Sequence, residues 1–580
     1  MQEPEQNDKV FSFKYYFIPF TNNKAIHWIV IIGLVVYSNM LFNGFVWDDI
    51  SYIVTNTAFQ HFNFIALFQK NIFNGVSQYR PIPALYFSAL YYIFHSISFF
   101  YHFMQLLIHI ANTVLLFLFF SHLFKKKIAF ILSLIFLVHP IQVEAVSFIG
   151  ASDNPLFFLF GMSAFLLSIG EMKSKYKTFS IFILLLLSVL TNETGILFLF
   201  IILSYQYLLQ KGKTIYYIPP GILTVIIYFV MRFGIGNVFF SKENFVAIGD
   251  LTLLQRIFNI PEIFFYYIKT LFFPNQLLIE QQWIVKNINI ADFYIPLLID
   301  ILFLTIVAIG GMWISKKNEK ALPVYIFFFI WFISGIVLHL QIFSLDMTVA
   351  DRWFYFPFVG ILGMTGLIIT TMRSKLVQKW LFIIGSLIII LLSIRTMIRN
   401  LDWKDDLTLN SHDVKISVNP YDIENNLSYD YIVNHQCETA EYYAKKSIEL
   451  YPDSYNYMNF GESYFCLGNY GEAKKIFIQA QNFGDDNNLP YDHLADLSLV
   501  YGDKKDSIKF LNNTAAKKFP SDPKIWLDLA ILEYKNGDTD NATYAIKQAY
   551  KYDPSENNYY VYSLMTNHRP LMNVNIHFGE

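Results

Sequence analysis

Apolar residues come in long runs over the first two thirds of the chain and in short, spaced clusters over the last third. A hydrocarbon core about 30 Å thick needs roughly 20 mostly apolar residues per helix. By that measure the pattern predicts spans near 25–44, 101–120, 128–138 with its flanks, 156–170, 178–191, 195–209, 214–234, 293–314, 321–344, 352–372 and 378–396, about eleven crossings. A further run, 256–273, is interrupted by Arg256, Pro261, Glu262 and Lys269 and reads as an interfacial or re-entrant helix. The first apolar segment has no small-residue cleavage site after it, so it reads as a span and not as a cleaved signal.

Beyond residue 400 the period changes. Pro452, Pro520 and Pro554 share a 34-residue phase; in it Ala440, Ala473 and Ala542 recur, and Ala480 and Ala549 take a second small position. Gly461, Tyr464, Gly468 and Phe477 complete one unit well. The reading is a solenoid of about four tetratricopeptide repeats over 421–556, with 488–522 degenerate, a class of architecture that binds protein surfaces without doing chemistry. A spacer or oligomerisation role is the plainer alternative. The organisation expected is thus a cytoplasmic amino terminus (1–24), a multi-span membrane domain (25–400) with a large first outer loop (45–100), a junction (401–420), the repeats (421–556) and a carboxy-terminal extension (557–580), all of it helical.

Charge divides the chain in the same place. Through residue 400 there are 27 Lys or Arg and 18 Asp or Glu; afterwards there are 16 and 27, so the overall net charge of −2 joins a basic body to an acidic one. Neither concentrates cations on a soluble surface, which argues against a nucleic-acid partner. Short loops carrying Lys125, Lys126 and Lys127, then Lys173, Lys175 and Lys177, then Lys211 and Lys213, then Lys316, Lys317 and Lys320, then Arg373 and Lys375 fall on alternate ends of the spans, which places them in the cytosol. An odd number of crossings then puts the acidic tail on the far side, in periplasm or organelle lumen. With 54% hydrophobic residues in 580, the chain is a multi-pass membrane protein, of a bacterial inner membrane or of the endoplasmic reticulum. The two cysteines, Cys437 and Cys466, give no disulfide framework and no thiolate zinc site; they fall near the helix turns of neighbouring repeats, where an oxidising compartment would pair them, and two buried thiols are the simpler expectation.

The opposite loops hold most carboxylates. Trp47-Asp48-Asp49 follows the first span, and two adjacent acids at a membrane mouth supply a general base or a metal ligand, or else are solvated loop acids. Arg80 precedes Pro81, and its planar fork suits a phosphate or an interfacial position. His139, Glu144 and Asp153 come next, at a spacing that makes a metal site weak. Glu193 sits in Asn192-Glu193-Thr194-Gly195, and Asp351-Arg352 opens a later span, where Arg352 either holds a lipid phosphate with Asp351 as its orienter or simply pairs with it. Asp300 lies inside a span, where either a structural partner or a role would account for it. A polar chamber on one side, lined by acids and a few Arg, suits a reaction between a membrane-embedded phosphate donor and a hydroxyl acceptor better than it suits transport.

Trp47-Asp48-Asp49, Tyr79-Arg80-Pro81, Tyr101-His102 with His109 and Asn112, His139-Pro140 with Glu144-Ala145-Val146, Asn192-Glu193-Thr194-Gly195 and Ala350-Asp351-Arg352 with Tyr355 and Pro357 occur in this order. In that order the chain resembles the transmembrane and tetratricopeptide repeat-containing protein O-mannosyltransferases and their bacterial relatives, among the GT-C glycosyltransferases, and the bacterial type is expected. The likeness covers roughly residues 44–554, including Asn400-Leu401-Asp402-Trp403 at the junction.

The resemblance implies an inverting enzyme that moves a sugar, mannose in the eukaryotic members, from a polyprenyl- or dolichyl-phosphate donor on the outer or lumenal side. It implies Asp48 or Asp49 as catalytic base and Arg80 and Arg352 as contacts of the donor phosphate, with His139, Glu144, Asp153, Glu193 and Asp351 as supporting polar groups. No cofactor and no obligatory metal are implied, and the repeats would recruit the acceptor, a protein Ser or Thr or a growing glycan. Ala151 and Asn192 stand where many relatives have Arg and Lys, so two cations that contact donor or acceptor are missing. The competing expectations are a non-catalytic membrane scaffold for envelope or glycan assembly and a lipid-sugar transporter.

Overall fold

In the computed structural model, residues 20–56, 59, 64–69, 78–170, 175–210, 214–239, 246–279, 281–372, 374–483 and 487–571 are described. Lys173, Lys211, Lys213, Arg373 and the side chains of Lys175 and Lys375, expected in cytoplasmic loops, lie outside these residues, as do parts of the expected terminal segments 1–24 and 557–580 and of the first outer loop. The chain forms two compact units, Met1–Val418 and Asn419–Glu580, and every regular element in the described residues is helical.

The expected bundle of eleven crossings is not formed. Among the described residues six helices are long and apolar enough to cross a bilayer: Ser98–Leu123, Ile149–Ile169, Thr214–Ile235, Ile290–Lys317, Glu319–Val337 and Leu376–Asp402. A seventh crossing is reached only by joining Lys126–Val138 to Pro140–Ser147 across a 51° bend. The remaining expected spans are too short. Asn22–Val36 has 15 residues and Phe358–Thr371 has 14, about 22 Å of helix each at 1.5 Å per residue. The physical reason is local. Pro140 cannot continue the helix before it, and Pro357 separates the turn Asp351–Phe354 from the helix Phe358–Thr371, so apolar runs continuous in sequence are split in space. The parity argument for the sidedness of the tail falls with the count. Residues 253–272 form one helix with Pro261 inside it, and it is not among the six.

The membrane unit is held by an aromatic core in which Trp331, Phe119, Phe165, Phe198, Phe327 and Phe328 pack edge-to-face and stacked. Gly360 and Gly363 let Phe358–Thr371 approach Leu322–Val337. A Cβ at Gly363 would lie 2.1 Å from the Phe328 ring, and one at Gly360 2.5 Å from the Phe332 amide nitrogen. Several residues of the ordered motifs prove to be packing knots. The Tyr355 hydroxyl meets His109 Nδ1 at 2.8 Å and accepts from Asn112 at 3.0 Å, while His109 Nε2 reaches the Leu137 carbonyl at 3.0 Å. All three side chains are buried, so each of these bonds replaces one to water.

In the carboxy-terminal unit, antiparallel helices pair as Tyr421–Val433 with Cys437–Leu450, Ser454–Cys466 with Tyr470–Ala480, and Pro523–Lys535 with Thr539–Tyr552. Ala440, Ala473, Ala480, Ala542 and Ala549 are fully buried there. A regular tetratricopeptide solenoid, however, is not formed. In the expected third repeat the second helix stops after Lys504–Phe510, seven residues, and continues as a widened turn through Asn512, Asn513 and Thr514, all poor helix formers. The buried apolar residues fall into three clusters. The two cysteines are not free: Cys437, opening one helix, is joined to Cys466, ending the next, with Cα atoms 5.6 Å apart, inside the span a disulfide bridges.

This unit buries Asp492, Asp496 and Asp528 together, with one cation, Lys524, 2.8 Å from Asp496. Burial, with Asp522 close by, pushes the Asp492 carboxyl up to about 9. The folded chain therefore holds a proton that the unfolded chain, with the usual value of 3.8, has lost, and stability falls as pH rises from about 4 to about 9. In the full-length protein, hydrogen-exchange protection of peptides covering 489–535, corrected for intrinsic rates, is expected to weaken between pH 5 and pH 8. Asp492→Asn should flatten that dependence and strengthen protection at pH 8 by about 1–2 kcal/mol.

Candidate active site

Three polar loops meet at the end of the bundle away from Lys125–Lys127. The first begins after Asn22–Val36, where Asn43 Nδ2 donates to the Asn400 carbonyl at 2.9 Å and the Gly44 amide to the Lys404 carbonyl at 2.9 Å. Trp47 then takes a left-handed backbone, φ 54°, which a bulky residue adopts only when its surroundings hold it. Its amide donates to Asp406 at 2.5 Å, and its indole lies against Phe148. The next two residues are both acids, and the structure gives them different work.

Asp49 is fully buried and spends both oxygens on backbone: Oδ2 accepts the Val46 amide at 3.1 Å, and Oδ1 accepts the Gly150 amide at 2.6 Å. It staples the first loop to the second. Gly150 has no room for a side chain, since a Cβ would lie 2.6 Å from the Phe148 ring and 3.2 Å from Asp49 Oδ1. Asp48 is only half-buried and makes no ion pair among the described residues. Burial pushes its carboxyl up to about 6; Arg352 pulls the other way, Asp346 adds to the rise, and a hydrogen bond with Tyr52 opposes it.

Arg352 stands on the turn Asp351–Phe354. Its guanidinium is ion-paired with Glu144 and lies 3.7 Å from Asp346, and its own amide donates to Glu144 at 3.0 Å. The Trp47 and Trp353 rings lie 5.8 and 5.9 Å from its carbon. Asp351 does not orient this arginine. It accepts the Tyr266 hydroxyl at 2.5 Å, and Gln281 in turn donates to Tyr266 at 2.6 Å. Burial holds the Asp351 carboxyl well above its usual range, with the Glu144 charge adding to it.

Arg80 is fixed from the other side. Pro81 opens the helix Pro81–Phe94 directly after it, and its guanidinium pairs with Asp153 at 2.6 Å and Glu193 at 3.2 Å. Asn192 also donates to Asp153, at 2.7 Å. Glu193 is shared, since Arg232 reaches it at 2.9 Å and the Tyr228 hydroxyl at 3.1 Å. The charges of Arg80 and Arg352 both act on Tyr52, and that of Asp346 acts on both arginines. Asp48, Arg80, Glu144, Asp153, Glu193 and Arg352 thus converge, with Asp49 beneath them as an anchor.

His139 does not join them: its Nδ1 accepts the Ile141 amide at 3.2 Å and its Nε2 meets the Leu271 carbonyl at 3.0 Å, leaving no ring nitrogen for a ligand. Asp300 lies in the span Ile290–Lys317, apart from these contacts. Among the described residues no group of three or more His, Cys, Asp or Glu is arranged to hold a metal ion. Sequence reasoning missed Arg232, Tyr52, Asp346 and Asp406. Arg232 alone carried a signal, as an arginine inside an otherwise apolar run, where an ionisable residue needs a reason.

No protein-family model matches the chain. It is 25% identical over 506 residues to the human Protein O-mannosyl-transferase TMTC3, covering 80% of this chain and 55% of that protein. Against the mouse TMTC3 it is 24% identical over 513 residues, with 80% and 55% covered. Against Protein O-mannosyl-transferase F38B6.6 of Caenorhabditis elegans it is 23% identical over 409 residues, with 67% and 57% covered. The chain spans about half the length of the curated relatives it matches. These are distant relatives, and all three are animal proteins, so the expected bacterial type finds no support in them.

Three substitutions separate the anchoring acids from the unpaired one. Glu144→Gln leaves Arg352 buried without its carboxylate and should destabilise the membrane unit by about 3–5 kcal/mol. Asp49→Asn, which gives up one of two accepting oxygens, should destabilise it by about 1–3 kcal/mol. Asp48→Asn should leave thermal unfolding in detergent close to wild type.

Proposed function

We propose that the chain is an inverting glycosyltransferase that moves a sugar from a polyprenyl- or dolichyl-phosphate donor to a hydroxyl at the acid-lined end of its membrane unit. Mannose as the sugar and a protein hydroxyl as the acceptor follow the names of its O-mannosyl-transferase relatives, and a Ser or Thr side chain would supply that hydroxyl. One observation carries the reading: beside a buried acid spent on backbone stands a second that makes no ion pair among the described residues yet feels the charge of Arg352.

In this reading the Asp48 carboxylate accepts the proton of the acceptor hydroxyl as its oxygen bonds to the anomeric carbon. The bond from that carbon to the lipid phosphate oxygen breaks on the opposite face, and the electron pair leaves with the phosphate. Arg80 and Arg352, held in place by Asp153, Glu193 and Glu144, meet the growing negative charge. A monophosphate leaving group is within reach of two guanidiniums, so no metal enters the proposal. Arg232, which shares Glu193 with Arg80, supplies positive charge in a site lacking cations at Ala151 and Asn192. The acid-lined end would face the extracytoplasmic or lumenal side, with the helical carboxy-terminal unit on that side receiving the acceptor. The Cys437–Cys466 disulfide supports an oxidising compartment for that unit.

Purified protein supplied with polyprenyl-phosphate sugars should form glycoside with a kcat/KM that rises with pH through about 6, as the Asp48 carboxyl loses its proton. Asp48→Asn should lower the rate about 10²–10⁴-fold without loss of fold. Full activity in that variant would remove Asp48 as the base. Absence of transfer from the wild-type protein with every donor tried would favour a non-catalytic scaffold.

A further inference from the structure

The opposite end of the membrane unit carries a second site of different chemistry. A cavity of about 620 Å³ opens there between the first turns of Lys126–Val138, the end of Phe358–Thr371 and the first turns of Lys375–Asp402. Its depth is apolar, lined by Ile131, Leu132, Phe382 and Ile383 among others. Its rim is cationic: Lys125, Lys126, Lys127 and Lys379 border it, all exposed, and none makes an ion pair among the described residues.

Four lysines around one opening repel one another. Three of them also stand at the start of a helix, where the backbone dipole is already positive and lysine is least favoured. The wall below them is what a headgroup alone would not need. Ile131 lies four residues beyond Lys127 and Ile383 four beyond Lys379, about 6 Å deeper along each helix axis. Both Lys379 and Ile383 belong to the candidate span Leu376–Asp402, so the rim sits at the boundary of the hydrocarbon layer and the slot points into it. The volume falls in the usual range for a pocket that encloses a small ligand, roughly 300–1,000 Å³.

We propose that this cavity binds an anionic phospholipid of the surrounding leaflet, its phosphate held among Lys125–Lys127 and Lys379 and the upper part of one acyl chain in the slot beside Ile131 and Phe382. Charge complementarity selects the headgroup, and the apolar depth selects a lipid over a soluble anion. Nothing in the site depends on the chemistry proposed at the far end of the bundle.

Full-length protein, delipidated in detergent, is offered equal amounts of phosphatidylglycerol and phosphatidylcholine with identical acyl chains, and retained lipid is counted by native mass spectrometry. Phosphatidylglycerol should be retained at least about tenfold over phosphatidylcholine, each lysine being worth about fivefold near a lipid phosphate. Combined substitution K125Q, K126Q, K127Q and K379Q should bring the two lipids to parity. Ile131→Trp, which fills the slot, should lower retention of both, and millimolar inorganic phosphate should not displace the lipid. Thermal unfolding of each variant identifies loss of fold, in which case single-lysine variants take its place. Equal retention of the two lipids by the wild type, an undiminished preference without the lysines, or full displacement by phosphate would overturn the assignment.

Discussion

A charge withdrawn from water must be met where it lies, and in this protein that requirement organises the polar end of the membrane unit. Arg232, Arg352 and Arg399 are each buried, and each is neutralised by carboxylates from elsewhere in the chain. Arg352 joins the turn before Phe358–Thr371 to the loop around Glu144. Arg232 and Arg80 meet on Glu193, and Arg399 holds Asp413 through two bonds of 2.8 and 3.0 Å. Segments two hundred residues apart are fixed to one another by these pairs, because an unpaired partner would be left in a low-dielectric interior. The loops are therefore shaped as much by charge balance as by hydrophobic burial.

Within that lattice the position of a single acid acquires meaning. Asp49 is bound by two amides and Trp47 is held in a left-handed backbone, so the carboxyl between them has little freedom in where it points. Glu144, Asp153 and Glu193 are each paired to an arginine at close range, whereas Asp48 makes no ion pair among the described residues. The same economy explains why several motif residues turn out to be knots: His102, His109, Asn112 and Tyr355 satisfy backbone and one another, and carry the loops to their places.

The two ends of the membrane unit are chemically opposed. One holds arginines matched by carboxylates, the other lysines that make no ion pair among the described residues, with an aromatic core between them. The carboxy-terminal unit follows a third rule. It buries carboxylates with too few cations, so protons, and not salt bridges, balance part of its interior, and a disulfide closes its first helices together.

Much of this was legible in the sequence because it depends on composition and order. Long apolar runs, the change of charge at residue 400, and the ordered motifs around Asp48, Arg80, Glu144, Asp153, Glu193 and Arg352 all point to a helical membrane protein with an acid-rich polar end. Distances across the fold were not legible. Hydropathy counts apolar residues but does not see where a helix ends, as it does at Pro140 and before Phe358, and eleven expected spans became six or seven among the described residues. A 34-residue phase locates helix pairs without revealing that the third pair cannot complete its second helix. Adjacent acids look alike in a string of letters. Only the tertiary structure, by bringing the Gly150 amide to Asp49 and leaving Asp48 without an ion pair among the described residues, tells these two acids apart, because a carboxylate's chemistry is decided by the donors and charges around it.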